Sequence, residues 1–450
     1  MLTVLLLLLS VAAIILLTAR LDVHPFVALM LVAIGYGILA GMPLDAVVAS
    51  VNAGFGNTLG GIGLIIILGV IIGIFLENTG AAYALADRVL RLAGKKRITL
   101  SMGLIGWVVS IPVFADSGFM LLAPLNRSLS KKAGLSLAGT AIALAMGLMA
   151  AHTMVPPTPG PIAAAYYLEA DLGMVLLLGI PVSLISLGVC LLFIHRFVAT
   201  TYIDPDPDLS RADIDDRLKD APGALLSSVP IFVPIILIVT RSMLAAFGGY
   251  EVDGYGALPL APRIVFFLGE PFIALTIGCL LCLLLPRRLG KEMFSTDGWI
   301  GKALTGAASI LLITGAGGVF GQILRDSGIA VVLGDALAGL RLNIWLPFIL
   351  AAAIKSAQGS STVALITTAS IMAPMLPDLG FTEGLSRALV VVAIGAGSAV
   401  VSHANDSFFW VVTRLSGMDV KMGYRFMTLS SLVLGLTAAV TLFLVYLIAV

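Results

Sequence analysis

Apolar runs of the length that crosses a bilayer, about 17–25 residues, recur near 2–19, 25–42, 61–77, 173–195, 225–247, 264–286, 304–324 and 426–449. Hydrocarbon offers backbone N–H and C=O groups no partner, so such runs must be helices that satisfy themselves, and the chain reads as an all-α polytopic membrane protein. Composition points the same way. With 59% hydrophobic and 11% charged residues and a mean hydropathy of +1.09, the chain cannot make a water-facing surface of ordinary charge density. A net charge of +1, with 26 Lys and Arg scattered through loops, offers no basic face for nucleic acid. Cys190, Cys279 and Cys282 lie in apolar segments without neighbouring histidines and read as small core residues, so no metal or cofactor is expected. Met1 to Thr18 has neither a basic start nor a small-residue cleavage pattern, and reads as a retained first helix.

Four further stretches are apolar but interrupted. Segments 137–165 and 386–414 are too long for one untilted crossing. The first contains Pro156, Pro157, Pro159 and Pro161, which remove donors and clash with the preceding turn, so two half-helices joined by an unwound stretch are expected. The second is interrupted by His403 to Ser407, without proline. Segment 98–130 has basic residues at both ends, Lys95, Lys96 and Arg97 before it and Arg127, Lys131 and Lys132 after. The positive-inside rule therefore puts both ends in the cytoplasm. Its polar centre, Pro112 with Asp116, Ser117 and Gly118, leaves two arms too short to cross, so a re-entrant hairpin is expected. Segment 342–377 repeats the design around Gln358-Gly359-Ser360-Ser361-Thr362.

The hairpins belong to an internal repeat. A shift of 248 places lays Gly69, Gly73, Leu76, Gly80, Ala82, Leu85 and Asp87 on Gly317, Gly321, Leu324, Gly328, Ala330, Leu333 and Asp335. His152 and His403 match at a shift of 251. The expected architecture is two inverted repeats, each with five crossings and one hairpin, spanning 1–196 and 223–450, with the acidic stretch 197–222 as a solvated cytoplasmic linker. This layout places 20 of the 26 Lys and Arg in the cytoplasm and both termini in the periplasm.

Broken helices in inverted repeats mark secondary transporters, whose substrates bind near the midplane where half-helix ends meet. Free N–H groups and the positive dipole end at half-helix N-termini suit a carboxylate, and nearby hydroxyls and amides suit its hydroxyl groups. The candidate substrate-binding residues are Asp116, Ser117, His152, Thr153, Thr158, Gly359, Ser360, Ser361, Thr362, His403, Asn405, Asp406 and Ser407. Each has a plainer reading. Asp116 and Asp406 also fit helix caps, the histidines fit ties across the breaks, and the hydroxyl residues individually fit helix packing. Intramembrane carboxylates are functional by default, and the hydroxyls cluster at the breaks, so the site reading is preferred. Lys355 fits either an anion partner or the neutraliser of a carboxylate, Glu77, Asn78 and Arg325 read as helix ends, and Glu270 has no assigned role. Gly315-Ala316-Gly317-Gly318 lacks the lysine of a phosphate loop and reads as close helix packing.

At Phe114-Ala115-Asp116-Ser117-Gly118-Phe119, His152-Thr153-Met154-Val155-Pro156-Pro157-Thr158-Pro159-Gly160-Pro161 and Ser402-His403-Ala404-Asn405-Asp406-Ser407-Phe408-Phe409-Trp410, with Gly359-Ser360-Ser361-Thr362 as a fourth element, the chain resembles the gluconate permease family over essentially its full length. The resemblance implies a bacterial inner-membrane proton symporter for gluconate or a related hydroxy acid, with D-serine as the alternative substrate. It also implies kinship with the wider ion-transporter superfamily, whose hairpin-bearing domain moves like an elevator, typically within a homodimer. For the coupling ion, rigid oxygen cages suit sodium, whereas Asp116 and Asp406 with His152 and His403 as relays suit protons. A channel would carry a continuous polar stripe and an enzyme a nucleophile–base pair or metal cluster. The chain has neither.

The hairpin reading makes a topological prediction. Single cysteines at Lys96 and Lys131 are both labelled only from the cytoplasm, and cysteines at Leu342 and Asp378 only from outside. Labelling of either pair from opposite faces would remove that hairpin.

Overall fold

The computed structural model describes residues 2–21, 23–93, 98–205, 221–248, 258–328, 343–403 and 406–449, and among them the only regular structure is helical. Six helices are long and apolar enough to cross a membrane, and a bent pair makes a seventh. In order, α1 (Leu2–Ala19), α2 (Pro25–Leu39), α3 (Leu44–Asn78) and α4 (Ala81–Ala93) precede α5 (Ile98–Val109) and α6 (Ala115–Ala133). Then come α7 (Leu137–Met154), α8 (Pro159–Tyr167) and α9 (Leu172–Phe193). Past the stretch 206–220, which falls outside the described residues with most of the acidic linker, lie α10 (Ala224–Gly248), α11 (Leu260–Leu268) and α12 (Pro271–Cys282). The chain closes with α13 (Trp299–Asp326), α14 (Trp345–Gln358), α15 (Ser361–Met372), α16 (Gly384–Ala399), α17 (Ser407–Leu415) and α18 (Leu429–Ala449).

The long helices α3 and α13 have 35 and 28 residues, about 52 and 42 Å at 1.5 Å per residue. Their closest approach is made by glycine: a Cβ on Gly54 would stand 2.6 Å from the Gly318 carbonyl oxygen. Lipid is as apolar as leucine, so helix association in a membrane relies on such close backbone contact. That contact also explains why α3 begins at Leu44, well before the apolar run 61–77. Its first turns carry Asn52, Asn57 and three glycines, weak helix formers that packing against α13 holds in helix. Both helices end alike, at Gly80 with φ 74° and Gly328 with φ 71°, a left-handed turn that suits glycine.

The apolar run 264–286, expected to be one crossing, is instead two helices meeting at 69°. Gly269 ends α11, Pro271 begins α12, and the Glu270 carboxylate between them accepts an ion pair from Arg241 at 2.9 Å. Proline at the first helical position starts a helix but cannot continue the preceding one. Glu270 thus anchors a bend to α10.

The two interrupted segments divide as their sequences imply. In the first, α7 ends at Met154 and α8 starts at Pro159. In the second, α16 ends at Ala399 and α17 starts at Ser407. The short pairs α5–α6 and α14–α15 turn at 110–114 and 359–360. Their arms have 12 and 19 residues in the first pair and 14 and 12 in the second. The longer α6 ends in a polar turn, Asn126 to Lys132, not in further apolar chain.

Helix α5 lies against α7 through a second glycine contact, where a Cβ on Gly147 would collide with the Gly103 carbonyl oxygen. Gly147→Ala is expected to lower unfolding stability in detergent by about 1–3 kcal/mol, the usual range for overpacking. Gly188→Ala, in α9 with open space around it, is expected to be neutral or to gain about 0.5–1 kcal/mol from helix propensity. Equal effects at the two sites would refute the packing account.

Candidate functional site

Four helices, α6, α8, α15 and α17, begin at the four interruptions, and the interruptions come together. Asp406 caps α17, its Oδ1 accepting from the Phe408 N–H at 3.0 Å. Its Oδ2 accepts from Lys355 Nζ at 2.6 Å and from Ser402 Oγ at 2.5 Å. Lys355 is fully buried and also donates to the Gly359 carbonyl, so a single ammonium joins the turn of the α14–α15 pair to the start of α17. A buried charge is tolerated only when paired and hydrogen-bonded, and both conditions hold. Of the two sequence readings of Lys355, the geometry supports the neutraliser.

Asp116 stands in the first turn of α6 and accepts from Ser407 Oγ at 3.3 Å. Ser407, the first residue of α17, thus places the two carboxylates side by side, one held by Lys355 and the other by a hydroxyl. Ser117 lies beside the Glu77 carboxylate at the end of α3. Glu77 was read from sequence as a helix end. Its contact crosses from α3 to the α5–α6 turn, a relation that periodicity does not encode.

His152 and His403 occupy different settings despite their matched positions. The His152 ring lies 5.9 Å from that of Phe114, and its Nδ1 is buried without a hydrogen-bond partner among the described residues. His403 Nε2 donates to the Ser356 carbonyl at 2.7 Å and ties the second interruption to α14. Thr153 and Thr158 are buried and spend their hydroxyls on backbone: Thr153 on Met149, Thr158 on His152 and Val155, each at 2.9 Å. Thr158 thereby satisfies carbonyls that the proline run leaves unpaired.

Gly359 turns the α14–α15 pair at φ 90°, and Ser360 caps α15 by accepting from the Val363 N–H at 3.3 Å. Ser361 and Thr362 are half-buried beside it, while Asn405 lies outside the described residues. By contrast, no side chain caps α6 or α8. Proline has no N–H, so Pro159 and Pro161 leave only the Gly160 N–H to face an anion at the start of α8, while α6 offers those of Ala115 and Ser117 beside the Asp116 carboxylate. Val401, in the second interruption, has φ 55°, costly for a β-branched residue and of the kind that gathers at functional sites.

Two adjoining cavities, about 210 and 260 Å³, lie away from this cluster, between the α3–α13 pair and the ends of α8 and α15.

Broken helices around buried charge are a pattern of secondary transporters, and the relatives of this chain are permeases and transporters. The family model described as GntP family permease matches residues 2–448, and the chain belongs to that family. An uncharacterized permease of Haemophilus influenzae is 35% identical over 92% of this chain and 86% of its own. The low-affinity gluconate transporter of Escherichia coli K12 is 33% identical over 96% and 95%. Its Gnt-II system L-idonate transporter is 32% identical over 89% of each chain. Among solved structures, the YdaH transporter of Alcanivorax borkumensis superposes with a TM-score of 0.65 at 16% identity, covering 93% of this chain and 97% of its own, a likeness of fold.

Lys355→Met leaves the Asp406 charge buried and unpaired, and is expected to destabilise the protein in detergent by about 3–5 kcal/mol. Adding Asp406→Asn should restore part of that loss. A double variant that loses the sum of the two single losses would show that the pair is not coupled.

Proposed function

We propose that this transporter imports gluconate or a related small sugar or hydroxy acid by proton symport across the bacterial inner membrane. The substrate class follows relatives named as gluconate and L-idonate transporters. The observation that carries it is the meeting of four helix N-termini, of which α6 and α8 have no side-chain cap and offer the N–H groups of Ala115, Ser117 and Gly160, beside the hydroxyls of Ser117, Ser360, Ser361, Thr362 and Ser407. Such N-termini receive a carboxylate, and the hydroxyls receive a polyol chain. D-serine, which has one hydroxyl and an ammonium, is the alternative substrate. Asp116 is the leading proton carrier, since its neighbour Asp406 is balanced by Lys355. His152, with Nδ1 unpartnered, is the leading relay, and Asp406 and His403 complete the path.

The architecture proposed is two inverted repeats, 1–196 and 223–450, with re-entrant hairpins at 98–130 and 342–377 and both termini periplasmic. Exchanged packing partners support it: α2 lies on α13 while α12 lies on α3, and α8 lies on α15 while α17 lies on α6. The matched helices α3 and α13 pack on each other, as do α9 and α18. Two-fold related halves give this pattern.

An elevator motion, within a homodimer as in the wider superfamily, is supported by a difference of register. Helices α6 and α15 start at 115 and 361, so Ser370 corresponds to Pro124. The matched glycines Gly73 and Gly321 each touch a hairpin's backbone, Gly73 at Pro112 and Gly321 at Ser370. Pro112 lies in the turn before α6, and Pro124 lies nine residues into that helix, about 14 Å from its start at 1.5 Å per residue. The hairpin-bearing layer is thus displaced toward the cytoplasmic end of α3, an inward-facing arrangement, and exchanging the two registers gives the outward-facing one.

In proteoliposomes, uptake of labelled gluconate should follow an imposed pH gradient without sodium, collapse with a protonophore, and be competed by idonate more than by D-serine. Asp116→Asn should abolish uphill uptake while sparing counterflow. The pair Ser360→Ala and Ser361→Ala should weaken binding by about 0.5–1.5 kcal/mol per hydrogen bond lost. Sodium-dependent uptake indifferent to pH would overturn proton coupling.

A further inference from the structure

Glu77 and Arg325 occupy matching places in the two halves, 248 residues apart on helices that end in the same glycine turn. Their chemistry is opposite. Glu77 touches Ser117 of the hairpin beside it. Arg325 faces a cavity of about 210 Å³ whose polar lining includes Asn57, Thr58, Tyr167, Gln322 and Ser370.

Arg325 is an unbalanced cation there. The adjacent carboxylate, Asp326, turns toward α3 and accepts from Ser50 Oγ at 2.6 Å and from Gln322 Nε2 at 3.0 Å. The other carboxylate of the cavity, Glu169, pairs with Arg387 at 2.7 Å. Among the described residues no carboxylate pairs with Arg325.

We propose that Arg325, with Asn57 and Thr58 of α3 and Gln322 of α13, forms an outer binding site for the carboxylate of a hydroxy-acid substrate, whose remaining wall hairpin 342–377 supplies when it rises to the register that hairpin 98–130 now holds. The inference rests on the transport reading above. In the exchanged register Val363, the counterpart of Ser117, comes beside Arg325 and brings the hydroxyls of Ser361 and Thr362 in the same turn toward it. The anion is then captured beside an arginine on the outer side, and on the cytoplasmic side is released beside a glutamate that repels it. A guanidinium beside a polar cavity raises the local concentration of anions, and salt weakens the effect.

The test measures half-saturation for labelled gluconate separately from each face, in right-side-out and inside-out vesicles. Arg325→Gln should raise the outer half-saturation about five- to tenfold, with a smaller rise for Arg325→Lys. The inner value should stay unchanged, and the salt dependence of the outer value should flatten. Glu77→Gln should lower the inner half-saturation only. Lys302→Gln, which removes an exposed cation from the opposite end of the same helix, controls for net charge and should leave both values unchanged. Equal shifts at both faces, or an unchanged outer value in Arg325→Gln, would overturn the site while leaving the transport function standing. If the unaltered protein carries none of the hydroxy acids tested, the function and this site fall together.

Discussion

Backbone groups inside a bilayer have no water to turn to, and that constraint shapes the rest of this structure. Each of the four interruptions exposes N–H and C=O groups that a continuous helix would have paired. Several partners identified in the structure meet that need. Thr158 reaches back to His152 and Val155. Ser402 is held through its N–H by Ser431 and through its carbonyl by Thr428. Lys355 and His403 bond carbonyls of Gly359 and Ser356. Non-helical backbone survives at depth only where protein surrounds it, so the interruptions must lie in the interior and near one another.

Once gathered, the interruptions concentrate charge. Lys355 and Asp406 form a pair whose loss on either side would strand a buried ion. Asp116, one hydroxyl away, forms no ion pair among the described residues. Two carboxylates of the same kind thereby differ in setting, one fastening helix ends through Lys355 and the other held by the Ser407 hydroxyl. In the proposed transport cycle this difference couples a proton to an anion.

Close glycine contacts provide the mechanical counterpart. Gly54 against Gly318 and Gly147 against Gly103 bring backbones together and fix helix pairs. Gly73 and Gly321 instead lie where a hairpin backbone passes a long helix, at two different registers. Small residues at such a seam present little relief to a sliding neighbour, which suits the proposed displacement.

The sequence by itself determined the helical class, the family and the places where helices break. Apolar length, proline and isolated polar residues act locally, and each reports on the backbone where it stands. It also marked Asp116, Asp406 and the hydroxyl clusters, because charge in hydrocarbon is costly wherever it occurs. Only the tertiary structure decided that Lys355 neutralises Asp406, that Glu77 reaches Ser117, that Thr153 and Thr158 serve backbone, that Glu270 fastens a bend to Arg241, and that Arg325 faces a cavity unpaired among the described residues. Each of these depends on which helices become neighbours, and long-range packing between chain segments leaves no periodic trace in the order of the residues.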